Sequence, residues 1–362
     1  MSINMEEELK VIGYEPRFGT TEGQARYNTP ITARENFMRF ARHEQPLWIP
    51  GGGDTIDLLP LFIPEVRVRG MVADTLPFDP EKEAGGRDMF GIDWVYVPQV
   101  GGSTVRPGKP AVEDIQHWRD IIHAPDVSKW QWEEASARLK PYYSSSRANK
   151  TTIFSGLFER LISFMDFADA AVALIDEDQK PYVHEIFDML VGIYEEMLEF
   201  LRKYLSIDVV TFHDDWGSQR APFFSLNTCM EMIVPHLKRI VDKAHSLGMV
   251  IDFHCCGMNE PLVPAMIAAG VDMWSGQNLN DWEKISATYG NKVIWNIVWA
   301  KFNQNDFASK DEYLRQSFEK WEHYWQCPGV WMNVGRFYTK DIDGKFFEMT
   351  YPVSRKRLSG EK

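Results

Sequence analysis

From Thr151 onward the chain alternates short apolar, β-branched or aromatic runs with longer stretches of helical periodicity, and this alternation limits the fold more than any other feature. Runs that read as strands fall at 47–49, 94–97, 151–155, 208–213, 249–254, 271–274, 293–298 and 330–334, eight in all. Between them Ile186, Leu190, Ile193, Met197 and Leu201 recur at three- and four-residue steps, one face of an amphipathic helix. Thr32 is placed to cap a helix over 33–43, and further helices are expected at 225–247, 260–269 and 310–325. Gly248 stands where a left-handed cap is wanted, the helix over 260–269 stops at Gly270, and Pro235 predicts a kink.

Strand, helix, strand, helix implies parallel pairing through right-handed crossovers. Eight such strands point to an α/β fold of the TIM (β/α)8 barrel class. The alternative, a doubly wound open sheet, usually carries a glycine-rich phosphate turn after its first strand, and Gly51-Gly52-Gly53 is a poor version of one. The chain has 362 residues, more than the ~250 of a typical barrel but within the range reached with insertions. The expected organisation is an N-terminal arm over 1–32 without clear periodicity, one barrel over 33–345 and a tail over 346–362, with no obvious amphipathic helix after Arg336. The Pro- and Gly-bearing stretch 50–93 reads as a lid or loop insertion after the first strand.

Charge narrows the classes of partner. With 39 basic against 52 acidic side chains the net charge is −13, which disfavours a nucleic-acid backbone as ligand. No run of 18 apolar residues suggests a membrane span, and the acidic start lacks a signal-peptide core, so a cytoplasmic protein is expected. In such a chain Cys229, Cys255, Cys256 and Cys327 suggest metal or redox chemistry rather than a disulfide frame.

In a TIM barrel the reacting groups gather after the strands. Here the fourth strand is followed by Asp214-Asp215-Trp216, with His213 at its end, and the fifth ends in His254-Cys255-Cys256-Gly257. Gln277 follows the sixth, Arg336 the eighth, and Glu159 the third. Side chains alternate along a strand, so His254 and Cys256 share a face and Cys255 points away. One imidazole and one thiolate on a face make a half-site for zinc. His213, Asp214 and Asp215 are candidates for acid–base catalysis, with one aspartate favoured and the choice between them open. Glu159, Trp216, Gln277 and Arg336 are candidate substrate-binding residues. Trp274, Trp295 and Trp299 fall near other strand ends and could wall a pocket for a planar ligand.

These pieces resemble the uroporphyrinogen decarboxylase superfamily, in particular its methyltransferase branch. The resemblance spans roughly residues 30–336 and rests on "ITARENFMRFARHEQP", "DDWGSQRAPFFS", "HCCGMNEPLVPAMIAAGVDMW" and "GVWMNVG". It implies a TIM barrel, a zinc site with its His-x-Cys pair at His254 and Cys256, and methyl transfer to or from a corrinoid carried by a separate partner protein. The small-molecule side would be a methyl donor, such as an aromatic methyl ether, or a thiol acceptor. Two departures stand out. The stretch "LWIPGGGDTI" lacks the arginine that grips porphyrin carboxylates in the decarboxylase branch, and the third zinc cysteine, expected in a Gly-Cys step after the last strand, is replaced by Gly335-Arg336. Cys327 precedes that strand, so Glu159 or Gln277 could supply the third ligand that the resemblance implies. The competing readings are a metal-free lyase or decarboxylase of the same superfamily and a non-catalytic ligand-binding barrel.

Overall fold

A computed structural model describes residues 3–19, 23–99, 101–298, 306–334 and 340–360. In chain order its strands are β1 (Val11–Glu15), β2 (Gln24–Tyr27), β3 (Thr55–Asp57), β4 (Gly86–Arg87), β5 (Asp93–Val97), β6 (Gly102–Val105), β7 (Ala148–Ile153), β8 (Val209–His213), β9 (Val250–Cys255), β10 (Met273–Gly276), β11 (Ile294–Val298) and β12 (Val330–Asn333). Seven of them, β3 and β7 to β12, form one parallel sheet whose spatial order is the chain order. This is the α/β, TIM-barrel type of fold. Six of the strands read from the sequence lie in that sheet.

Two of the expected strands do not. Residues 47–49 carry no ladder, because the Asn36 side chain takes the bonds a neighbouring strand would make. Its Oδ1 accepts from Leu47 N–H at 2.7 Å and Trp48 N–H at 3.4 Å, and its Nδ2 donates to Trp48 O at 2.9 Å. The first barrel strand is instead β3, inside the stretch expected as a loop, where Thr55 to Asp57 pair with Ala148 to Lys150. The run at 94–97 pairs locally: β4, β5 and β6 form an antiparallel sheet, and the chain turns straight back after Val97 with Gly101 at φ 65° donating to Val97 O.

The packing divides the chain into two compact units, Met1–Asp57 with Lys140–Lys150 and Asp272–Lys362, and Leu58–Leu139 with Thr151–Val271. In the first unit, β1 and β2 form an antiparallel hairpin, which corrects the irregular arm expected over 1–32. Thr32 caps the helix Ala33–Ala41 by accepting from Glu35 N–H at 3.1 Å. Strands β10, β11 and β12 pair in succession. Beside β12, Gly52 N–H donates to Val334 O at 3.3 Å and the Trp331 indole donates to Pro50 O at 2.8 Å, so the segment leading into β3 lies against the other outer strand of the sheet. The chain after residue 340 forms a helix, Lys340–Ser359, which corrects the expectation of a tail without one. Its buried Phe346 and Tyr351 supply the apolar stripe.

The second unit carries β8 and β9 with the helices that flank them. The periodic stretch over 186–201 is the core of the helix Lys180–Leu205, whose inward residues Ile186, Leu190, Met197 and Leu201 are buried. Residues 225–247 form two helices rather than one kinked one, Leu226–Met232 and Val234–Ser246. Pro235 explains the break, since it has no N–H to offer an interior turn and sits in the first turn of the second helix. Gly248 (φ 73°) adopts the left-handed conformation expected of it, and Gly270 (φ 81°) ends its helix in the same way. Among the described residues no helix is long and apolar enough to cross a membrane.

Candidate metal centre

Strands β8 and β9 run side by side in parallel register from Val209↔Val250 to His213↔His254. Each ends in the same spacing, His213-x-Asp215 on one and His254-x-Cys256 on the other. Residues two apart share a face, so the paired ends present four donor groups together. The ligand atoms of His213, Asp215, His254 and Cys256 all lie within 4.8 Å of one another, each residue half-buried. His254 Nε2 is 3.5 Å from Cys256 Sγ, and His213 Nε2 is 3.7 Å from Asp215 Oδ1. The two imidazoles stack at 4.9 Å with 18° between their planes.

These separations suit a small divalent cation. Metal–ligand bonds of about 2.0–2.3 Å in a tetrahedron place ligand atoms ~3.5 Å apart, close to the two shorter distances. Two nitrogens, a sulfur and a carboxylate oxygen match the donor types zinc takes. The donor set therefore fits a metal ion.

The residues between the donors point the other way and build the support. Asp214 is buried and accepts from Phe158 N–H at 3.1 Å, Glu159 N–H at 2.8 Å and the Trp216 indole at 2.9 Å. It thereby caps the helix Leu157–Met165. Burial, against the lowering effect of these bonds, pushes its carboxyl up to about 7. Cys255 is buried and its Sγ accepts from Trp216 N–H at 3.2 Å. Gly156 leads into the capped helix, and a Cβ there would stand 2.5 Å from Asp214 Cβ, so no larger residue fits. Of the two candidate aspartates, Asp215 joins the donor cluster and Asp214 holds a helix.

That helix delivers Glu159. Its Oε2 accepts from His213 Nδ1 at 2.6 Å, and its Oε1 accepts from Arg69 Nη2 at 2.7 Å. Burial opposes the charge on Glu159, but Arg69 and His213 outweigh it and hold the carboxyl well below the ordinary range. Burial likewise opposes a charged His213. The Glu159 carboxylate, with contributions from Cys256 and Asp215, reverses this and takes the imidazole to about 10. Burial first, and then Glu159, raises Asp215, whose Oδ1 also accepts from Cys256 N–H at 2.7 Å. Burial pushes the Cys256 thiol up. A carboxylate on the far nitrogen of a histidine is a common outer support of a metal ligand.

The remaining candidates fall elsewhere. Trp216, expected to bind substrate, is fully buried against Phe253 at 4.5 Å and belongs to the core, as do Trp274 and Trp295. Trp274 packs on Trp282 and Trp295, and the Trp216 indole donates to Asp214 Oδ2. Gln277 lies in the first unit, half-buried in the turn after β10, where its backbone carbonyl accepts from the Asn280 side chain at 2.8 Å. Arg336 and Trp299 lie outside the described residues. Cys327 is in the turn ahead of β12. Glu159 supports His213 rather than completing the donor set, and His213 and Asp215 do complete it, a role the sequence reading gave to neither. Arg69 was missed altogether: it lies 90 residues from Glu159 in an aperiodic stretch, and no local pattern marks it.

No protein-family model matches the chain, and no curated protein does. Solved structures do match. A methyltransferase from Methanosarcina mazei aligns over 91% of this chain and 99% of its own, with a TM-score of 0.59 and 13% identity. That likeness is one of fold. TcOYE with pHBA aligns over 63% of this chain and 75% of its own (TM-score 0.41, 9% identity). The IOLI protein with a binding zinc atom aligns over 65% and 84% (TM-score 0.31, 10% identity).

Proposed function

We propose that this chain is a zinc-assisted methyltransferase that moves a methyl group between a small-molecule donor or thiol acceptor and a corrinoid carried by a separate protein. The observation that carries the reading is the convergence of His213, Asp215, His254 and Cys256 at the ends of two adjacent strands. The fold likeness to a methyltransferase over 91% of the chain supports it, as does the resemblance of the strand-end segments to the methyltransferase branch.

His213, His254 and Cys256 would hold the ion, and Asp215 would be the exchangeable partner. Asp215 is suited to that part because its side chain is 30% exposed, against 15% for His213, and its Oδ1 already has a second partner in the Cys256 N–H. Three firm protein ligands and one replaceable position is the arrangement of catalytic rather than structural zinc. Bound there, zinc would supply Lewis acidity, favouring the thiolate form of a thiol or polarising the oxygen of a methyl ether. Glu159 keeps the His213 Nδ1 proton engaged and so leaves Nε2 as the donor. Asp215, a carboxylate beside the other donors, would be placed to take the proton of an incoming group.

The test is a metal determination on the purified protein, joined to an assay of methyl transfer from methylcobalamin to a panel of thiols. One zinc per chain and transfer to at least one thiol are expected, with both lost in His254→Ala. Full activity and unchanged metal content in that variant would sink the reading. Activity that resists chelators in metal-free protein would favour the lyase alternative.

A further inference from the structure

Arg69 reaches the centre from a part of the chain that contributes none of its donors. It ends the helix Pro64–Arg69, where Gly70 at φ 75° turns the backbone away. The guanidinium is held on several sides. Nη1 donates to Ser103 O at 3.2 Å; Nη2 donates to Ser155 Oγ at 3.2 Å and Glu159 Oε1 at 2.7 Å. Its plane lies over the Trp94 ring at 4.5 Å. The Arg69 and Glu159 side chains are 14% and 13% exposed, so their ion pair is largely shielded from water.

We propose that Arg69 is a positioning residue for the metal centre: through Glu159 it fixes the His213 ring with Nε2 facing Asp215, His254 and Cys256. The proposal rests on the metal reading of the donor cluster and adds the device that orders it. A histidine can offer either ring nitrogen, and the bond made by the other nitrogen decides which. Here that bond goes to one oxygen of Glu159, and the second oxygen is tied to Arg69. Without the guanidinium, a buried carboxylate loses its balancing cation and half of its anchoring, and the ring it holds can turn. A lysine could supply the charge. It could not reproduce the planar fork that spans Ser103 O, Ser155 Oγ and Glu159 while stacking on an indole. The anchors themselves come from the antiparallel sheet, Trp94 from β5 and Ser103 from β6. The sheet β4–β6, in a stretch that read as a lid or an unremarkable strand, is on this view a brace for the centre.

The experiment uses the full chain with Arg69→Met, Arg69→Lys and Glu159→Gln. Zinc affinity is measured by competition with a chromophoric chelator. In the metal-free proteins, the His213 Nδ1 proton is recorded by 15N-edited NMR and assigned by its loss in His213→Gln. Glu159→Gln should weaken zinc about 10- to 100-fold, the usual effect of removing an outer support of a metal ligand. Arg69→Met should weaken it about 10-fold or more by the same coupling, with Arg69→Lys between it and the wild type. The Nδ1 proton signal should be sharp and downfield in the wild type and broadened or moved upfield in Arg69→Met. Circular dichroism separates these effects from unfolding, and the lysine variant, which keeps the charge, stands in should the methionine variant fail to fold. Wild-type affinity together with an unmoved proton signal in Arg69→Met would overturn the proposal. A wild type that takes up no zinc would overturn the metal reading, while the proton signal still decides whether Arg69 holds His213.

Discussion

Replacing Asp214 by alanine tests whether the centre depends on the residues that face away from it. The Asp214 carboxylate satisfies three buried donors, the N–H groups of Phe158 and Glu159 and the Trp216 indole, at 2.8–3.1 Å. Alanine leaves all of them without a partner where water has little access. An orphaned buried donor costs about 1–3 kcal/mol, so a loss of at least ~3 kcal/mol is expected, minus any recovery by water entering the space. A side chain 1% exposed leaves little room for that recovery. Urea unfolding followed by tryptophan fluorescence reads the loss as a lower midpoint at an unchanged slope. A second consequence separates this variant from a general weakening. Asp214 holds the first turn of the helix that carries Glu159, so zinc affinity should fall under conditions where the protein is still fully folded. A loss below about 1 kcal/mol, the worth of a single ordinary hydrogen bond, with unchanged zinc affinity would refute the reasoning.

Other expectations follow from the same contacts. Cys255→Ala should retain full zinc content while losing ~1–2 kcal/mol of stability, because its sulfur accepts a backbone bond and takes no part in the donor cluster. Cys256→Ala should lose the metal, and equal zinc content in the two variants would contradict the alternation argument. Burial raises the carboxyl of Asp54 from 3.8 to about 6, so the folded protein keeps a proton that the unfolded chain releases. Its contribution to stability is thus complete below about pH 4 and is lost as pH rises through 6, on the order of 3 kcal/mol for a pKa gap of about 2. Asp54→Asn should flatten the stability profile over that window, and a profile as steep as the wild type would count against the assignment. Tyr194→Phe removes a buried bond from its hydroxyl to Ser155 O at 2.6 Å and should cost about 1 kcal/mol by denaturant titration.

The repeating part of the fold was legible because a buried parallel strand and an amphipathic helix each leave a local signature. The strands from β7 to β12 and the helix Lys180–Leu205 follow directly from it. The misreadings arose where a local signature was answered by something distant in sequence. Leu47 to Ile49 have strand-like composition, yet an asparagine 11 residues earlier takes their backbone bonds. Trp94 to Val97 do form a strand, but a tight turn sends it into a local antiparallel sheet. The helix Lys340–Ser359 contains Pro352, which obscured it in the sequence.

The donor cluster shows the same division more sharply. Alternation within one strand was enough to separate His254 and Cys256 from Cys255, and the structure agrees, since Cys255 is buried under Trp216 while the other two join the cluster. The same rule applies to His213, Asp214 and Asp215, and it would have picked Asp215 over Asp214. What it could not give is that the two triplets meet. That depends on the register of β8 against β9, which sets His213 opposite His254. Register is fixed by the whole buried face of both strands, Val209 to Phe212 against Val250 to Phe253, and a slip of one residue would turn one triplet's donors away. Four donors from two strands in register need no loop to fold back, and so the centre does not require a cysteine after the last strand. On the metal reading, His213 takes the third place that a later cysteine was expected to fill, and it comes from the strand next to the His-x-Cys pair rather than from a distant one.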